Sequence, residues 1–144
     1  MSEKAERIGL STAQHIIELY ETYCKLLELE NEKPNEDHEV DGYTESYEVS
    51  DHACEKVLNY SVRSAWECPN PAGLQPAEFQ ILLMWGGPAL RIIGEFDEYG
   101  TPINPRMQTQ DWGTPWTDCW FNELDDKDHQ EALQWFVELF YWGC

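Results

Sequence analysis

Apolar residues near the start of the chain recur at the period of an α-helix. Ser11 and Gln14 have the spacing of a capping box, and the apolar stripe that follows comprises Ile16, Ile17, Tyr20, Tyr23, Cys24 and Leu27. The opposite positions carry Glu18, Glu21, Lys25 and Glu28. Because an amphipathic helix buries one stripe and leaves the other in water, the pattern predicts a first helix from about Thr12 to Asn31, closed by Pro34.

The segment that follows the first helix is polar, acidic and without periodicity. From about residue 31 to 48 it is predicted to be an exposed loop. Ser50 or Asp51 then provides a cap for a short second helix that ends near Leu58. The sequence therefore predicts two N-terminal helices joined by an acidic loop.

Four later segments have the patterns of β-strands. Residues Tyr60–Trp66 alternate between apolar and polar, and Phe79–Trp85 and Ala89–Phe96 are apolar runs around the turn Gly86-Gly87-Pro88. A fourth strand is predicted over Asn104–Trp112, with Arg106, Gln108 and Gln110 on one face. The order predicts an antiparallel meander.

A final amphipathic helix is predicted from Leu124-Asp125 to Gly143, with an apolar stripe of Leu133, Trp135, Phe136, Leu139, Phe140 and Tyr141. Helices and strands thus occur in separate runs, which is typical of α+β domains. We predict one domain over residues 1–144: an antiparallel sheet of about four strands, with two N-terminal helices and one C-terminal helix packed on one face.

The net charge restricts the partners of such a domain. The chain has 28 acidic and 9 basic residues, a net charge of −19. A surface of this charge repels phosphate, so we expect no direct binding to nucleic acid or to an anionic membrane, and a basic partner is favoured. No apolar run is long enough to span a bilayer, and the N-terminus lacks the apolar core of a signal peptide.

Cysteines and histidines are scattered, which argues against a metal or a disulfide framework. The cysteines are Cys24, Cys54, Cys68, Cys119 and Cys144, and the histidines are His15, His38, His52 and His129. No pair has the short spacing of zinc ligands. We therefore expect no metal and no cofactor, and a reducing cytoplasm as the location.

Two groups of residues are candidates for contact with a partner. The acidic candidates are Glu18, Glu21 and Glu28 on the first helix and Glu36, Asp37, Glu39 and Asp41 on the loop. Such residues either bind a basic surface, imitating a phosphate backbone, or only solvate the protein. A rigid helix loses less entropy on binding than a loop, so the helix acids rank first.

The aromatic candidates for partner contact are Trp112, Trp116 and Trp120, which follow the predicted fourth strand. Tryptophan anchors protein interfaces, packs in cores and stacks on flat ligands. The neighbouring acids disfavour stacking on nucleic acid. A protein-binding surface or a place in the core is therefore preferred.

An enzyme is the alternative in another class. Glu95, Asp97 and Glu98 at a predicted strand end would supply acid–base or metal chemistry. Gly86-Gly87 lacks the third glycine, the lysine and the following helix of a phosphate-binding loop. No nucleophile and base stand out, so we predict a non-catalytic binding protein.

Four motifs resemble a family of small acidic proteins encoded by phages and mobile elements. They are S-V-R-S-A-W (61–66), E-F-Q-I-L-L (78–83), G-G-P-A-L-R-I-I-G-E-F-D-E (86–98) and Q-D-W-G-T-P-W-T (110–117). The resemblance implies a setting among mobile elements, whose small acidic proteins often block host defence. We therefore predict an anti-CRISPR-like inhibitor in the host bacterial cytoplasm, which binds a basic surface of a host protein or ribonucleoprotein such as a CRISPR effector. The resemblance transfers no catalytic residue. An adaptor or homo-oligomerisation module of the mobile element is the remaining alternative.

Overall fold

The computed structural model describes residues 3–69 and 71–142, and these form the predicted α+β fold. The helices are α1 (Glu3–Glu32), α2 (Ser46–Glu55) and α3 (Asp126–Val137). The strands are β1 (Asn59–Ser64), β2 (Pro76–Met84), β3 (Ala89–Phe96), β4 (Pro102–Gln110) and β5 (Thr117–Asp118). The acidic connection between α1 and α2, residues 33–45, is named the acidic loop below.

The strands lie in chain order, each antiparallel to the next, so the predicted meander is confirmed. The sequence indicated about four strands, and the described residues contain a fifth. This is β5, which pairs Asp118 with Gln108 and Thr117 with Thr109. A strand of two residues is too short for alternation to reveal it.

One face of the sheet forms the core. Ile81, Ile92 and Met107 are neighbours on β2, β3 and β4, and all three are buried beneath the helices. Helices α1 and α3 cover them with buried residues that include Leu19, Leu26, Leu133 and Phe136. Because side chains alternate along a strand, the intervening residues lie on the opposite face, the open sheet face.

Helix α1 begins at Glu3, well before the predicted Thr12. Its first turns bury Ala5, Gly9 and Ala13, whose small side chains do not appear as an apolar stripe in the sequence. Gly9 has a packing role, since a Cβ there would lie 3.2 Å from Cζ of Phe121. Among residues 3–69 and 71–142, no helix is long and apolar enough to cross a membrane.

The other helix bounds also differ from those predicted. Helix α2 begins at Ser46, before the predicted cap at Ser50 or Asp51, and ends at Glu55 rather than near Leu58. Helix α3 ends at Val137, and Nε1 of Trp142 donates a hydrogen bond to the carbonyl of Val137 at 2.9 Å. The chain thus folds back where the apolar pattern continues, and the predicted end, Gly143, lies outside the described residues.

Candidate functional site

The seven acidic candidates are all exposed. On α1, Glu18, Glu21 and Glu28 lie on one face because they are spaced by three and seven residues, and they are named the α1 acidic stripe. Lys25 lies between them, but the part of the chain described here has three ion pairs within 4.0 Å, and none is on α1. The stripe therefore presents carboxylates that no basic side chain neutralises by contact.

The acidic loop is fixed to α1, which the sequence did not indicate. Its tip is a tight turn in which Val40 and Tyr43 exchange backbone hydrogen bonds of 2.9 and 3.0 Å across Asp41-Gly42. Asp41 and Gly42 have φ of 52° and 86°, as this hairpin turn requires. The carboxylate of Asp41 accepts a hydrogen bond of 3.0 Å from the buried Thr22 of α1. The loop thus has a defined position.

A second contact closes the base of the loop. The carboxylate of Glu30 accepts hydrogen bonds from the backbone N–H of Ser46 at 2.8 Å and from its hydroxyl at 2.6 Å. These bonds stabilise the ionised form and lower the pKa of Glu30. The tip of the acidic loop and the residue that follows its C-terminal end are therefore held to α1, which orders the backbone that carries Glu36, Asp37 and Glu39.

The structure places the acidic candidates in two groups. Glu18, Glu21 and Asp41 line a cavity of about 330 Å³ together with Lys25. Glu36, Asp37 and Glu39 line another of about 800 Å³, together with Glu30 and Glu45. This second cavity is named the acidic groove, and its remaining lining residues are Pro34, His38, Thr44, Ser46 and Tyr47. Glu28 lines neither.

Of the two groups of acidic residues, the one that lines the acidic groove has the larger excess of negative charge. Five of its ten lining residues are acidic and none is lysine or arginine. Carboxylates without basic partners repel one another and attract lysine and arginine side chains of another molecule. The described residues contain no group of three or more His, Cys, Asp or Glu that could hold a metal ion. The five carboxylates thus concentrate negative charge that no lysine or arginine of the lining neutralises.

The three candidate tryptophans have different surroundings. Trp112 is 84% exposed, and its ring lies against Gly87, where a Cβ would come within 1.9 Å of its Nε1. Trp116 is half-buried under the guanidinium of Arg91, at 4.1 Å. Trp120 is 82% exposed beside a cavity that Asp118 and His129 also line. None of the three lines the acidic groove.

The strand-end acids of the enzyme alternative have local partners. Glu95 forms an ion pair with Arg106 at 3.1 Å. One carboxylate oxygen of Asp97 accepts hydrogen bonds of 2.9 Å from the backbone N–H groups of both Tyr99 and Thr101 and so closes the β3–β4 turn. Glu98 is exposed. Two of the three acids therefore have structural partners, Glu95 in an ion pair between strands and Asp97 in the turn.

A row of arginines on the open sheet face was not among the sequence candidates. Arg63, Arg91 and Arg106 belong to β1, β3 and β4, and together they line one cavity of about 280 Å³. The sequence carried one indication of this row, since each of these strands has one arginine at a position that alternates with the core-facing residues. Only the strand register shows that the three lie together.

No protein family, curated protein or solved structure matched the chain. The likeness of its motifs to phage-encoded proteins therefore stays a prediction from the sequence.

Proposed function

We propose that the protein is a non-catalytic inhibitor that binds a basic, nucleic-acid-binding surface of its target through the α1 acidic stripe and the acidic groove. The observation that carries this proposal is the acidic groove itself, in which five acidic residues surround a concave surface without a lysine or arginine. The fixed positions of Asp41 and Glu30 support it, because ordered charges lose less entropy on binding.

The target class follows from the charge and from the motif resemblance together. A chain with 28 acidic residues and a net charge of −19 competes best for a groove that otherwise holds a phosphate backbone. The resemblance to phage and mobile-element proteins points to an RNA-guided effector of bacterial immunity, in the host cytoplasm. The inhibitor would block nucleic-acid binding by occupying lysine and arginine sites, in a stoichiometric and salt-sensitive manner.

A panel of purified, guide-loaded CRISPR effectors tests this function. Each effector is mixed with the protein at low salt, and its binding to target DNA is measured with and without competing DNA. We expect one effector to lose DNA binding at about one protein per complex, and excess DNA to reverse the loss. Absence of association with every effector tested would end the proposal.

An adaptor or self-association module is the second candidate, and the exposed tryptophans favour it. Four tryptophans are at least 72% exposed: Trp66, Trp85, Trp112 and Trp120. Large exposed aromatic rings are typical of protein interfaces. Light scattering of the purified chain tests self-association. If this candidate holds, Trp120→Ala together with Trp112→Ala removes association, while reversing the acids of the groove leaves it intact.

A further inference from the structure

Arg91 lies in the middle of the open sheet face and is held in one orientation. Its Nε and Nη2 donate to Oε1 of Gln108 at 2.9 and 2.7 Å, and its Nη1 donates to Oε1 of Gln80 at 2.7 Å. The ring of Trp116 covers one side of the guanidinium, with its centroid 4.1 Å from Cζ. A cation fixed by neighbouring strands in this way is preorganised for a ligand.

This cation lacks the counter-charge that its neighbours have. Arg63 pairs with Glu78, and Arg106 pairs with Glu95 at 3.1 Å. Within residues 3–69 and 71–142, no carboxylate oxygen lies within 4.0 Å of Arg91. Partial burial and the charge of Arg63 both disfavour its cationic form and lower its pKa. A partly buried charge without a counter-ion is unusual in a chain so rich in acids.

The guanidinium also keeps hydrogen-bond donors free. An arginine has five N–H groups, and the bonds to Gln80 and Gln108 use three of them. One N–H remains on each of Nη1 and Nη2. These two nitrogens form a planar fork that matches the two oxygens of a carboxylate. The cavity of about 280 Å³ beside Arg91 gives space for such a group, and it is lined also by Ser61, Arg63, Ile93 and Arg106.

We propose that Arg91 binds the carboxylate of a small organic acid, whose apolar part packs against Ile93 in this cavity. The volume lies just below the usual range for ligand pockets, which favours a small molecule over a peptide segment. The net charge of −19 repels a polyanion such as nucleic acid more strongly than a single negative charge. Glu78, which also lines the cavity, and Glu95, which pairs with Arg106, repel a doubly charged phosphate more strongly than a singly charged carboxylate. This site does not depend on the function proposed above.

NMR titration of the full chain labelled with ¹⁵N tests the site, because the chain has four arginines and hence four Nε–Hε signals. The probes are benzoate, its neutral analogue benzamide, and inorganic phosphate. We expect benzoate to shift the Arg91 signal in a saturable way, with smaller shifts at Arg63 and Arg106 and none at Arg7 on α1. Benzamide, which lacks the charge, should leave the Arg91 signal unchanged.

Two variants separate the fork from its charge. Arg91→Lys keeps the positive charge but not the planar donors, and we expect its affinity for benzoate to fall about tenfold. Arg7→Lys, on the exposed surface of α1, should bind like the parent. Backbone spectra and thermal unfolding establish that both variants are folded, and the titration of the parent chain needs no substitution.

Three results would overturn the proposal. One is a shift of Arg91 that stays linear in benzoate up to about 30 mM, since such binding is not a site. Another is an equal response to benzamide. The third is tighter binding of phosphate than of benzoate, which would replace the carboxylate by a phosphate ligand.

Discussion

The acidic side of the molecule and the open sheet face treat charge in opposite ways. On the acidic side, the α1 acidic stripe has no ion pair in the described structure, and the acidic groove has no lysine or arginine in its lining. On the open sheet face, Arg63 and Arg106 pair with glutamates, and two glutamine side chains hold Arg91. Charges are therefore unpaired on the acidic side, whereas on the open sheet face they are either paired with an opposite charge or fixed by hydrogen bonds.

Because of this difference, the charges of the two surfaces act over different distances. Uncompensated like charges act over distances comparable to the screening length and weaken as salt is added. Hydrogen-bonded and paired groups act at contact and depend on the positions of neighbouring strands. This contrast agrees with the two proposals, a large charged partner for the acidic side and a small ligand in a fixed orientation for the open sheet face.

The largest expected effect on stability concerns two glycines, one packed in the core under the sheet and one in the acidic loop. An alanine at Gly94 on β3 would place its Cβ 2.5 Å from Cζ of Phe79 and 2.7 Å from the carbonyl of Ile103, so the core must shift. We expect Gly94→Ala to lower the free energy of unfolding by about 3 kcal/mol.

The matched substitution is Gly42→Ala in the acidic loop. Its Cβ would meet no atom within 4 Å, and only the backbone φ of +86° opposes it. We expect a loss of about 1 kcal/mol from this strain. Denaturant unfolding measures both variants. Equal losses would contradict the packing of Phe79 on Gly94.

The next largest effect on stability comes from repulsion between the carboxylates of the acidic groove. Replacing Glu36 and Glu39 by glutamine removes two unpaired charges, so we expect the free energy of unfolding to rise by about 0.5 kcal/mol at low salt. The gain should disappear at high salt. As the control, Arg106→Gln leaves Glu95 without its partner and should lower stability instead. Thermal unfolding at two salt concentrations checks both signs, and a loss of stability in the groove variant would contradict the repulsion.

The smallest effect is a pH dependence of stability that comes from His129, a residue of α3 whose ring packs on Phe121. Burial lowers its pKa below the ordinary 6.5, and the nearby Asp126 opposes this only in part. The unfolded chain therefore binds the proton more readily, so the contribution of His129 to stability is present above about pH 6.5 and is lost as pH falls through the lowered value.

We expect His129→Gln to show a smaller loss of stability between about pH 7.5 and 5.5 than the parent chain. His38→Gln, in the lining of the acidic groove, controls for removal of a histidine. Unfolding by denaturant at the two pH values gives the comparison. An unchanged pH dependence in His129→Gln would contradict the assignment.

The sequence predicts most of the fold because its strands alternate and its helices have apolar stripes. The apolar runs Phe79–Trp85 and Ala89–Phe96, on either side of the turn Gly86-Gly87-Pro88, correctly predict the central hairpin, whose register pairs Ile81 with Ile92. The pattern fails where burial needs no large apolar side chain. The first turns of α1 bury Ala5 and Gly9, so their place in the helix is not visible in the periodicity.

The candidate site is less predictable, since its geometry depends on contacts between distant residues. Exposure of the acids follows from their charge, but the loop is fixed by Asp41 with Thr22 and by Glu30 with Ser46, pairs separated by 19 and 16 residues. The arginines of the open sheet face are likewise brought together by strand register alone. Local pattern indicates neither group.

Salt-dependent binding of charge-reversed variants to any effector whose DNA binding the protein blocks tests the central claim most directly. One variant changes Glu18, Glu21 and Glu28 to lysine, and a second changes Glu36, Asp37 and Glu39. A control changes Glu67, Glu98 and Glu123, which are exposed and lie outside α1 and the acidic loop. Each triple variant changes the net charge equally, so only the position differs.

Affinity is measured at about 50 and 500 mM salt, over which the screening length falls from about 14 to about 4 Å. We expect the parent to bind far more weakly at high salt, both acidic-side variants to lose most of their affinity at low salt, and the control to lose little. If both acidic-side variants bind as tightly as the parent at both salt concentrations, the acids only solvate the protein and the contact lies elsewhere, which would contradict the proposed function.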